Sequence, residues 1–216
     1  MINLDNVSYT FKKGGGVANV NVEINDAEFA FMIGPTGSGK TTLLRLIYMD
    51  ILPQVGNVVV NKFTSTGIKP KQLPKLRRKI GMVFQDYKLL NDRNLFDNVA
   101  LPLHVMGYSK NQIIELVEKS LEEIGLTGKV NHFPHELSGG EQQRACVARA
   151  MIKNPDILLA DEPTGNLDPV TSFELIKIFE EINKSGTTIL MASHNYNLIK
   201  GRGHRIIEIQ NGSVRS

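Results

Sequence analysis

The sequence predicts an α/β protein built around a mostly parallel β-sheet. Three apolar segments, residues 29–33, 157–160 and 187–192, have the length and composition of strands that are buried on both faces. Segments with helical periodicity lie between them, as in residues 113–124. Strands that alternate with helices favour βαβ connections, and such connections make neighbouring strands parallel.

The predicted elements follow one another along the whole chain. Glycines at 14–16 form a turn between the first two strands, and a glycine-rich loop follows the third. In chain order the predicted strands are residues 3–7, 20–24, 29–33, 55–63, 80–84, 157–160, 187–192 and 205–209. The predicted helices are residues 42–48, several segments between 85 and 137, a helix that ends by Pro155, and residues 171–183. We expect one domain over residues 1–216, with a helical subdomain inserted at approximately residues 87–150.

Composition fits one domain and excludes several classes of protein. With 216 residues, 41% of them hydrophobic, the chain can bury one compact core but scarcely two. A formal net charge of +3 gives no support for a nucleic-acid partner, and we predict none. Cys146 is the single cysteine, and its small apolar neighbours indicate a helix interior rather than a reactive thiol. No apolar leader follows Met1, and no run approaches the roughly 20 apolar residues of a membrane-spanning helix, which predicts a cytosolic protein.

A glycine-rich loop between the third strand and the following helix is the first functional motif. Residues 34–41 match G-x-x-x-x-G-K-[ST] in the strand-loop-helix context that this motif requires. Gly37 and Gly39 let backbone N–H groups surround phosphate oxygens. Lys40 supplies a cation to the β- and γ-phosphates, and Thr41 offers a hydroxyl to Mg²⁺. The predicted nucleotide-binding residues of this loop are Gly34, Pro35, Thr36, Gly37, Ser38, Gly39, Lys40, Thr41 and Thr42.

Two adjacent carboxylates close the apolar strand at 157–160. Open α/β sheets place ligands at the carboxyl ends of their strands, so Asp161 and Glu162 are predicted to lie at the ligand site. Asp161 suits Mg²⁺, and Glu162 can polarise the water that attacks the γ-phosphate. In a chain without the lysine loop, the same pair would indicate a solvated turn.

Two further polar side chains follow predicted strands. The imidazole of His194 can hydrogen-bond the γ-phosphate and hold the attacking water against Glu162. The amide oxygen of Gln85 can ligate Mg²⁺ or bind water. Neither residue would indicate a site by itself. We therefore predict Glu162 and His194 as catalytic residues, and Thr41, Gln85 and Asp161 as metal ligands.

Residues 137–141 read Leu-Ser-Gly-Gly-Glu at the predicted start of a helix. Serine is a preferred helix cap, and a helix N-terminus suits an anion. A cap without a ligand is the alternative interpretation. If an anion binds at this turn, Ser138, Gly139, Gly140 and Glu141 are the residues that border it.

Taken in this order, the loop at 34–41, the turn at 137–141 and the carboxylate pair resemble the motifs of the ATP-binding cassette (ABC) ATPases, over essentially the whole chain. The resemblance implies a P-loop NTPase fold with a RecA-like, mostly parallel core, an N-terminal antiparallel β subdomain and an inserted α-helical subdomain. It implies ATP and Mg²⁺ as cofactors. It also implies a second copy of the chain, whose turn at 137–141 contacts the ATP held by the first copy.

Individual residues take family roles through the same resemblance. Gln85 corresponds to the Q-loop residue, Asp168 to the D-loop and His194 to the switch histidine. Phe11 stands where the family carries an aromatic that stacks on adenine, with Tyr9 as the alternative. The chain departs from the family pattern at Asn195, where an acid is usual, and in residues 25–28, which lack the glycine common in that turn.

Within that family the chain is most similar to the cell-division ATPases of the FtsE type, on residues 83–90, 137–144, 161–168 and 187–194. The similarity implies a membrane partner, FtsX, through which ATP controls cell-wall hydrolases at the septum. It also implies a peripheral location on the cytoplasmic face of the plasma membrane. ATPases of lipoprotein-releasing and macrolide-export transporters remain the alternative. A cassette that acts on DNA or ribosomes fits less well, because the coiled-coil or zinc insertions typical of that class are missing. A nucleotide sensor without catalysis fits less well, because Glu162 and His194 are present.

Two surface segments have predicted roles beside the nucleotide site. The apolar residues after Gln85 are expected to line a groove for the membrane partner, with ordinary core packing as the alternative. These residues are Tyr87, Leu89, Leu90, Leu95 and Phe96. The basic stretch at 69–79 is expected to be a solvated face, with contact to anionic lipid as the alternative.

Overall fold

Residues 1–215, which the computed structural model describes, fold into two β-sheets, a pair of helical layers and a helical lobe. One sheet has four strands in the order β2-β1-β4-β5, and the other has six in the order β10-β9-β3-β8-β7-β6. The strands are β1 (Ile2–Thr10), β2 (Gly16–Ile24), β3 (Phe29–Ile33), β4 (Val55–Val60), β5 (Phe63–Thr64), β6 (Ile80–Val83), β7 (Ile157–Asp161), β8 (Thr188–Ser193), β9 (Arg205–Gln210) and β10 (Ser213–Arg215). The α-helices are α1 (Lys40–Ile47), α2 (Leu73–Arg78), α3 (Leu95–Met106), α4 (Lys110–Glu123), α5 (Gly139–Met151), α6 (Pro169–Lys184) and α7 (Tyr196–Ile199).

The six-stranded sheet is mostly parallel. Strands β9, β3, β8, β7 and β6 run in one direction, and β10 is antiparallel to β9. The four-stranded sheet is antiparallel throughout. This arrangement confirms the predicted fold class.

The parallel sheet is buried on both faces, which explains why its strands are apolar without alternation. In β7, Ile157 and Leu159 join the core between the two sheets, where α1 also packs. Leu158 and Ala160 point the other way and join the core formed with α5 and α6. Successive side chains of a strand point to opposite faces, so a strand between two cores needs an apolar residue at every position.

The helical lobe has a core of its own, made mainly by α3, α4 and one face of α5. Asn94 caps α3 by accepting a hydrogen bond from the N–H of Asp97 (2.9 Å), and Gly107 ends that helix with a left-handed φ of 81°. Ser109 begins α4 with a capping box that includes Gln112. The lobe therefore folds around local start and stop signals as well as apolar periodicity.

Three short elements differ from the sequence-based assignment. Helix α2 lies within the basic stretch, α7 follows His194, and β10 pairs with β9. Each has six residues or fewer, which is too short for a periodic signal. Within residues 1–215, no helix has both the length and the apolar character needed to cross a membrane.

Candidate functional site

The parallel strands bring their carboxyl ends to one edge of the sheet. Ile33 pairs with Ser193, and Asp161 pairs with Ala192, so β3, β7 and β8 end side by side. The residues that follow these strands meet at a cleft of about 500 Å³. The cleft is lined by Phe11, Gly15, Gly16, Thr36, Gly37, Gly39, Lys40, Thr41, Thr42, Gln85, Asp161, Glu162 and His194. Two larger cavities lie along α4, one of them also bounded by α5 and α6, and neither reaches this edge.

The loop after β3 turns back on itself before α1 begins. Gly37 and Gly39 have φ values of 79° and 111°, which side chains disfavour. A Cβ on Gly39 would also lie 2.7 Å from a methyl carbon of Val17. Within residues 1–215, the buried hydroxyl of Ser38 has no hydrogen-bond partner. This loop and the N-terminus of α1 line the cleft, and a glycine loop that leads into a helix N-terminus suits an anion.

Lys40 lies at the start of α1 with only 4% of its surface exposed. Its Nζ donates to the carbonyl oxygens of Gly34 (2.8 Å) and Pro35 (3.1 Å). The same Nζ is 3.2 Å from Oε1 of Glu162. A buried ammonium group is therefore held at the centre of the site by oxygens of its own loop and one carboxylate.

Glu162 stands between this lysine and His194. Its Oε2 lies 2.6 Å from Nδ1 of His194, while Oε1 faces Lys40. The backbone of Glu162 has a left-handed φ of 46°, and its N–H donates to the carbonyl of Ala192 (3.0 Å). The side chain is thus fixed from both ends, with each carboxylate oxygen facing a different partner.

Oxygen donors gather beside the lysine. The hydroxyl of Thr41 donates to Oδ1 of Asp161 (3.1 Å), and burial raises the pKa of Asp161 in spite of that hydrogen bond. Gln85 lines the same cleft. Within residues 1–215, no three His, Cys, Asp or Glu side chains cluster as a metal site. The donor set fits Mg²⁺, which usually takes few protein ligands and completes its shell with phosphate and water.

Gln85 also touches the segment that follows β7. Its Nε2 lies so close to Gly165 that a Cβ there would come within 2.8 Å of it. The carbonyl of Gln85 accepts a hydrogen bond from Nδ2 of Asn166 (3.2 Å). Two loops at the sheet edge are therefore in direct contact.

The turn at 138–141 lies outside the cleft, at the start of α5. Ser138 caps the helix by accepting from the N–H of Glu141 (3.3 Å), and the carboxylate of Glu141 accepts from the N–H and hydroxyl of Ser138 (both 2.8 Å). These hydrogen bonds hold the pKa of Glu141 below its usual value. Gly139 and Gly140 form the first turn of the helix. The structure therefore does not bring this group to the lysine within one copy of the chain.

Asp168 also lies outside the cleft, where it caps α6. Its carboxylate accepts hydrogen bonds from the N–H groups of Val170 and Thr171 (3.0 Å each) and from the Thr171 hydroxyl. The hydrogen bonds from Thr171 lower the pKa of Asp168. Its predicted role at the nucleotide remains a prediction.

Phe11 lies at the rim of the cleft, whereas Tyr9 does not line it. The N–H of Phe11 donates to the carbonyl of Gly15 (3.0 Å), which folds the glycine turn beside the ring. Gly15 and Gly16 also line the cleft, and sequence reasoning did not single them out. The glycine run at 14–16 was the available signal, and it indicated only a turn.

Asn195 can replace the usual acid as a helix cap. Its Oδ1 accepts from the N–H of Leu198 (3.3 Å) at the start of α7. In the other departure, Ala27 takes the left-handed φ (57°) for which a glycine would be favourable. Asn195 thus caps its helix without the acid, whereas Ala27 adopts a conformation that a glycine would favour.

The segment after Gln85 is only partly available to a partner. Leu95 is 1% exposed and belongs to the core of the helical lobe, so its predicted place in a groove is wrong. Tyr87 and Leu89 are half-buried against the cores. Leu90, by contrast, is 40% exposed.

Comparison with protein-family models shows the family to which this chain belongs. The profile described as ABC transporter matches residues 17–165. The chain belongs to the ABC transporter family. Membership makes the chain an ATPase, and it confirms the nucleotide chemistry that the sequence predicted.

Similar curated ABC proteins cover nearly the whole chain. The cell division ATP-binding protein FtsE of Mycobacterium tuberculosis is 46% identical over 216 residues, covering 99% of this chain and 94% of that protein. FtsE of Bacillus subtilis is 43% identical, covering 99% and 94%, and FtsE of Escherichia coli is 43% identical, covering 99% and 97%.

Solved ABC structures share the fold. A dimeric post-hydrolysis state of the ATP-binding cassette MJ0796, bound to ADP and Pi, has a TM-score of 0.90 and 35% identity. It covers 100% of this chain and 97% of that one. A second dimeric structure of MJ0796, described as a bacterial ABC transporter cassette, has the same TM-score and coverage at 36% identity.

Proposed function

We propose that the chain is the ATP-hydrolysing subunit of a membrane complex of cell division, and that Glu162 is its catalytic carboxylate. One observation carries the catalytic part: Glu162 is held between the buried ammonium of Lys40 and the imidazole of His194. A carboxylate in that position can orient and polarise a water for attack on a phosphate that the lysine binds.

The loop after β3 binds the triphosphate in this proposal. Its N–H groups and the N-terminus of α1 face the cleft, and Lys40 reaches the β- and γ-phosphates. Phosphate oxygens then replace the carbonyl groups of Gly34 and Pro35 as partners of the ammonium. Phe11 offers its ring face to the adenine at the rim.

Thr41, Asp161 and Gln85 are the residues that would hold Mg²⁺. A metal ion there would neutralise charge on the β- and γ-phosphates. The contact between Thr41 and Asp161 already places two oxygen donors at one end of the cleft.

His194 is the residue that would contact the γ-phosphate from the side of Glu162. Its Nδ1 is bound by Glu162, which fixes the ring plane, and within residues 1–215 its Nε2 makes no hydrogen bond that would keep it from the γ-phosphate. Glu162 and His194 then act together: the carboxylate aligns the water, and the imidazole binds the γ-phosphate.

A second copy of the chain completes the site. The turn at 138–141 and Asp168 lie outside the cleft of their own copy, and both are at helix N-termini where anions bind well. The dimeric structures of the related cassette MJ0796 support the same arrangement here. ATP then stabilises the closed dimer, and loss of the γ-phosphate reopens it.

The membrane partner is proposed to be of the FtsX type. The FtsE proteins of three bacteria match almost the full chain, which supports a role in septal cell-wall hydrolysis. In this proposal the chain lies on the cytoplasmic face of the plasma membrane through its partner. A permease of the lipoprotein-releasing or macrolide-export type remains the second candidate, because the site motifs do not distinguish these ATPases.

Paired variants test the catalytic assignment. Glu162→Gln keeps the shape of the side chain but weakens its basicity, so we expect turnover to fall by roughly 100-fold or more while ATP binding persists. Light scattering should then show an ATP-dependent dimer that does not reopen. Lys40→Ala, as the matched control, should lose nucleotide binding and dimerisation together. Turnover like that of the natural chain in Glu162→Gln would contradict the proposal.

A further inference from the structure

The turn directly after Gln85 has an unfavourable backbone. Tyr87 and Lys88 are consecutive non-glycine residues in the left-handed region, with φ values of 59° and 51°. The N–H of Lys88 donates to the carbonyl of Asp86 at 2.6 Å, which closes a three-residue turn with a positive φ at its centre. Such turns are rare and strained. Something else in the molecule must therefore hold this segment in place.

Helix α5 supplies the restraint. Nη2 of Arg149 donates to the carbonyl of Tyr87 (2.7 Å), and Nη1 donates to the carbonyl of Lys88 (2.5 Å). The thiol of Cys146, one turn earlier on the helix, also donates to the Tyr87 carbonyl (3.0 Å). Burial raises the pKa of that thiol to about 12, so it keeps its proton and remains a donor. Two successive carbonyls of the strained turn are thus bound by one guanidinium group.

Arg149 has no competing partner that explains its position. Within residues 1–215 it makes no ion pair, and its hydrogen bonds to carbonyl groups go to Tyr87 and Lys88 alone. Its guanidinium is half-buried, and burial lowers its pKa. An arginine whose only role is to keep a helix surface soluble is normally exposed to water. A half-buried arginine without a carboxylate partner therefore indicates another role.

The turn connects two parts of the nucleotide site. Gln85, at one end of it, lines the cleft. The ring of Tyr87 reaches the start of α5, where its Oη would lie 3.0 Å from a Cβ on Gly139. The carbonyl of the same tyrosine is bound near the other end of α5, so one residue contacts both ends of the helix.

We propose that Arg149 is a positioning residue that holds the turn at 86–88 in its left-handed form and thereby fixes Gln85 relative to Ser138 at the start of α5. The geometry of the restraint stands by itself, whereas its effect on catalysis rests on the proposed function. In a closed dimer, Gln85 serves the nucleotide of its own copy and Ser138 serves that of the other. The restraint therefore couples the two nucleotide sites through one helix.

The restraint can be tested without nucleotide. Amide hydrogen exchange at residue 88 should become about tenfold faster in Arg149→Met, which keeps the volume but removes both donors. Arg149→Lys keeps the charge and can bond one of the two carbonyls, so it should give an intermediate rate and serves if the methionine variant does not fold. Lys153→Met is the matched control, because Lys153 lies just beyond the same end of α5 and also donates to a backbone carbonyl, but to that of Arg77. Unchanged exchange in both Arg149 variants would overturn the proposal.

A rescue experiment tests the effect on catalysis. Arg149→Met should lower kcat roughly 10-fold or more, with the Kd of a fluorescent ATP analogue within about twofold and a reduced Hill coefficient for ATP. Glycine tolerates the left-handed conformation, so adding Lys88→Gly should raise kcat at least about threefold above that of Arg149→Met alone. Asn154→Gly relieves the same kind of backbone conformation (φ 49°) beyond α5 and should restore nothing.

The outcomes separate the two proposals. Equal rescue by Asn154→Gly would show a general gain of stability and would overturn the positioning role. If exchange at residue 88 rises as expected but the natural chain neither hydrolyses ATP nor dimerises with it, the proposed function is wrong and the restraint stands.

Discussion

Unfavourable backbone conformations concentrate at the nucleotide site. Among residues 1–215, ten non-glycine residues have a positive φ, and five of these are asparagines, which tolerate that region well. Of the other five, Tyr87, Lys88 and Glu162 lie in or beside the cleft, and only Ala27 and Met49 lie away from it. Each such residue costs about 1 to 2 kcal/mol, and this cost is tolerated where function fixes the geometry.

Cys146 provides a prediction at the level of one residue. Because burial raises the pKa of its thiol to about 12, it should stay protonated and unreactive at neutral pH and through pH 9. We expect an aromatic disulfide reagent to modify the unfolded chain readily and the folded chain only at the rate of unfolding. The released chromophore measures both. Rapid modification of the folded protein at pH 8 would contradict the burial of this thiol.

At the level of elements, the cap of α5 makes stability depend on pH. The carboxylate of Glu141 accepts two hydrogen bonds from Ser138, so its folded pKa lies below the unfolded value of 4.5. Its stabilising effect is therefore complete above about pH 4.5 and is lost as the pH falls through the folded pKa. Glu141→Gln should lower the free energy of unfolding by about 0.3 to 1 kcal/mol at pH 7, with no difference in strong acid.

Denaturant titrations at several pH values measure this difference. Glu118→Gln on the exposed face of α4 is the control, because within residues 1–215 the side chain of Glu118 makes no ion pair or hydrogen bond. An equal effect of both substitutions would show that only net charge matters.

Helix α3 holds the segment after the cleft through one buried amide. Asn98 is 0% exposed, and its Oδ1 accepts from the N–H of Leu90 (2.7 Å). Its Nδ2 donates to the carbonyls of Leu90, Arg93 and Asn94. Asn98→Ala would remove the amide that bonds the N–H of Leu90 and the carbonyl of Arg93, so we expect a loss of about 1 to 3 kcal/mol in the free energy of unfolding. Urea unfolding measures it, and a loss below about 0.5 kcal/mol would show that water replaces the amide.

The elements also show which structure a sequence can reveal. The predicted bounds of β3 match the structure because an apolar strand ends at a glycine loop, and both signals are local. Helix α1 begins at Lys40, two residues before its predicted start, because the glycine at its cap gives no side-chain signal. Strand β10 depends on pairing with β9, and three residues carry no period.

The same distinction applies to the candidate site. Lys40 belongs to a sequence motif, and Asp161 and His194 lie at the ends of apolar strands. These local signals were enough to predict that the three residues line one cleft. The contact of Arg149 with Tyr87 joins residues 62 apart in sequence and depends on left-handed backbone at positions without glycine. No local pattern indicates such a contact, and only the packed structure reveals it.

At the scale of the whole molecule, exposed apolar side chains on α3 are available to the proposed membrane partner. Leu101 and Val105 lie one turn apart on α3 and are 40% and 73% exposed. Leu90, which is also 40% exposed, is bound through its backbone to Asn98 of the same helix. Exposed apolar residues grouped in this way are typical of a protein interface.

Val105→Asp should therefore weaken binding to the proposed FtsX-type partner, in solubilised form, by roughly 10-fold or more without changing ATP binding. Val55→Asp, at an apolar site on β4 that is 53% exposed, is the matched control. Co-purification with the partner measures both. Equal binding by the two variants would remove α3 from the interface, and recovery of an exporter permease instead would favour the second candidate function.

The order of strands in the parallel sheet has a consequence for biosynthesis. Strand β3 lies between β8 and β9, and both of these come more than 150 residues later in the chain. During translation, β3 therefore has no partner strand on either edge until β8 and β9 have left the ribosome. Nascent chains halted before β8 should depend on chaperones, because an unpaired apolar strand invites aggregation.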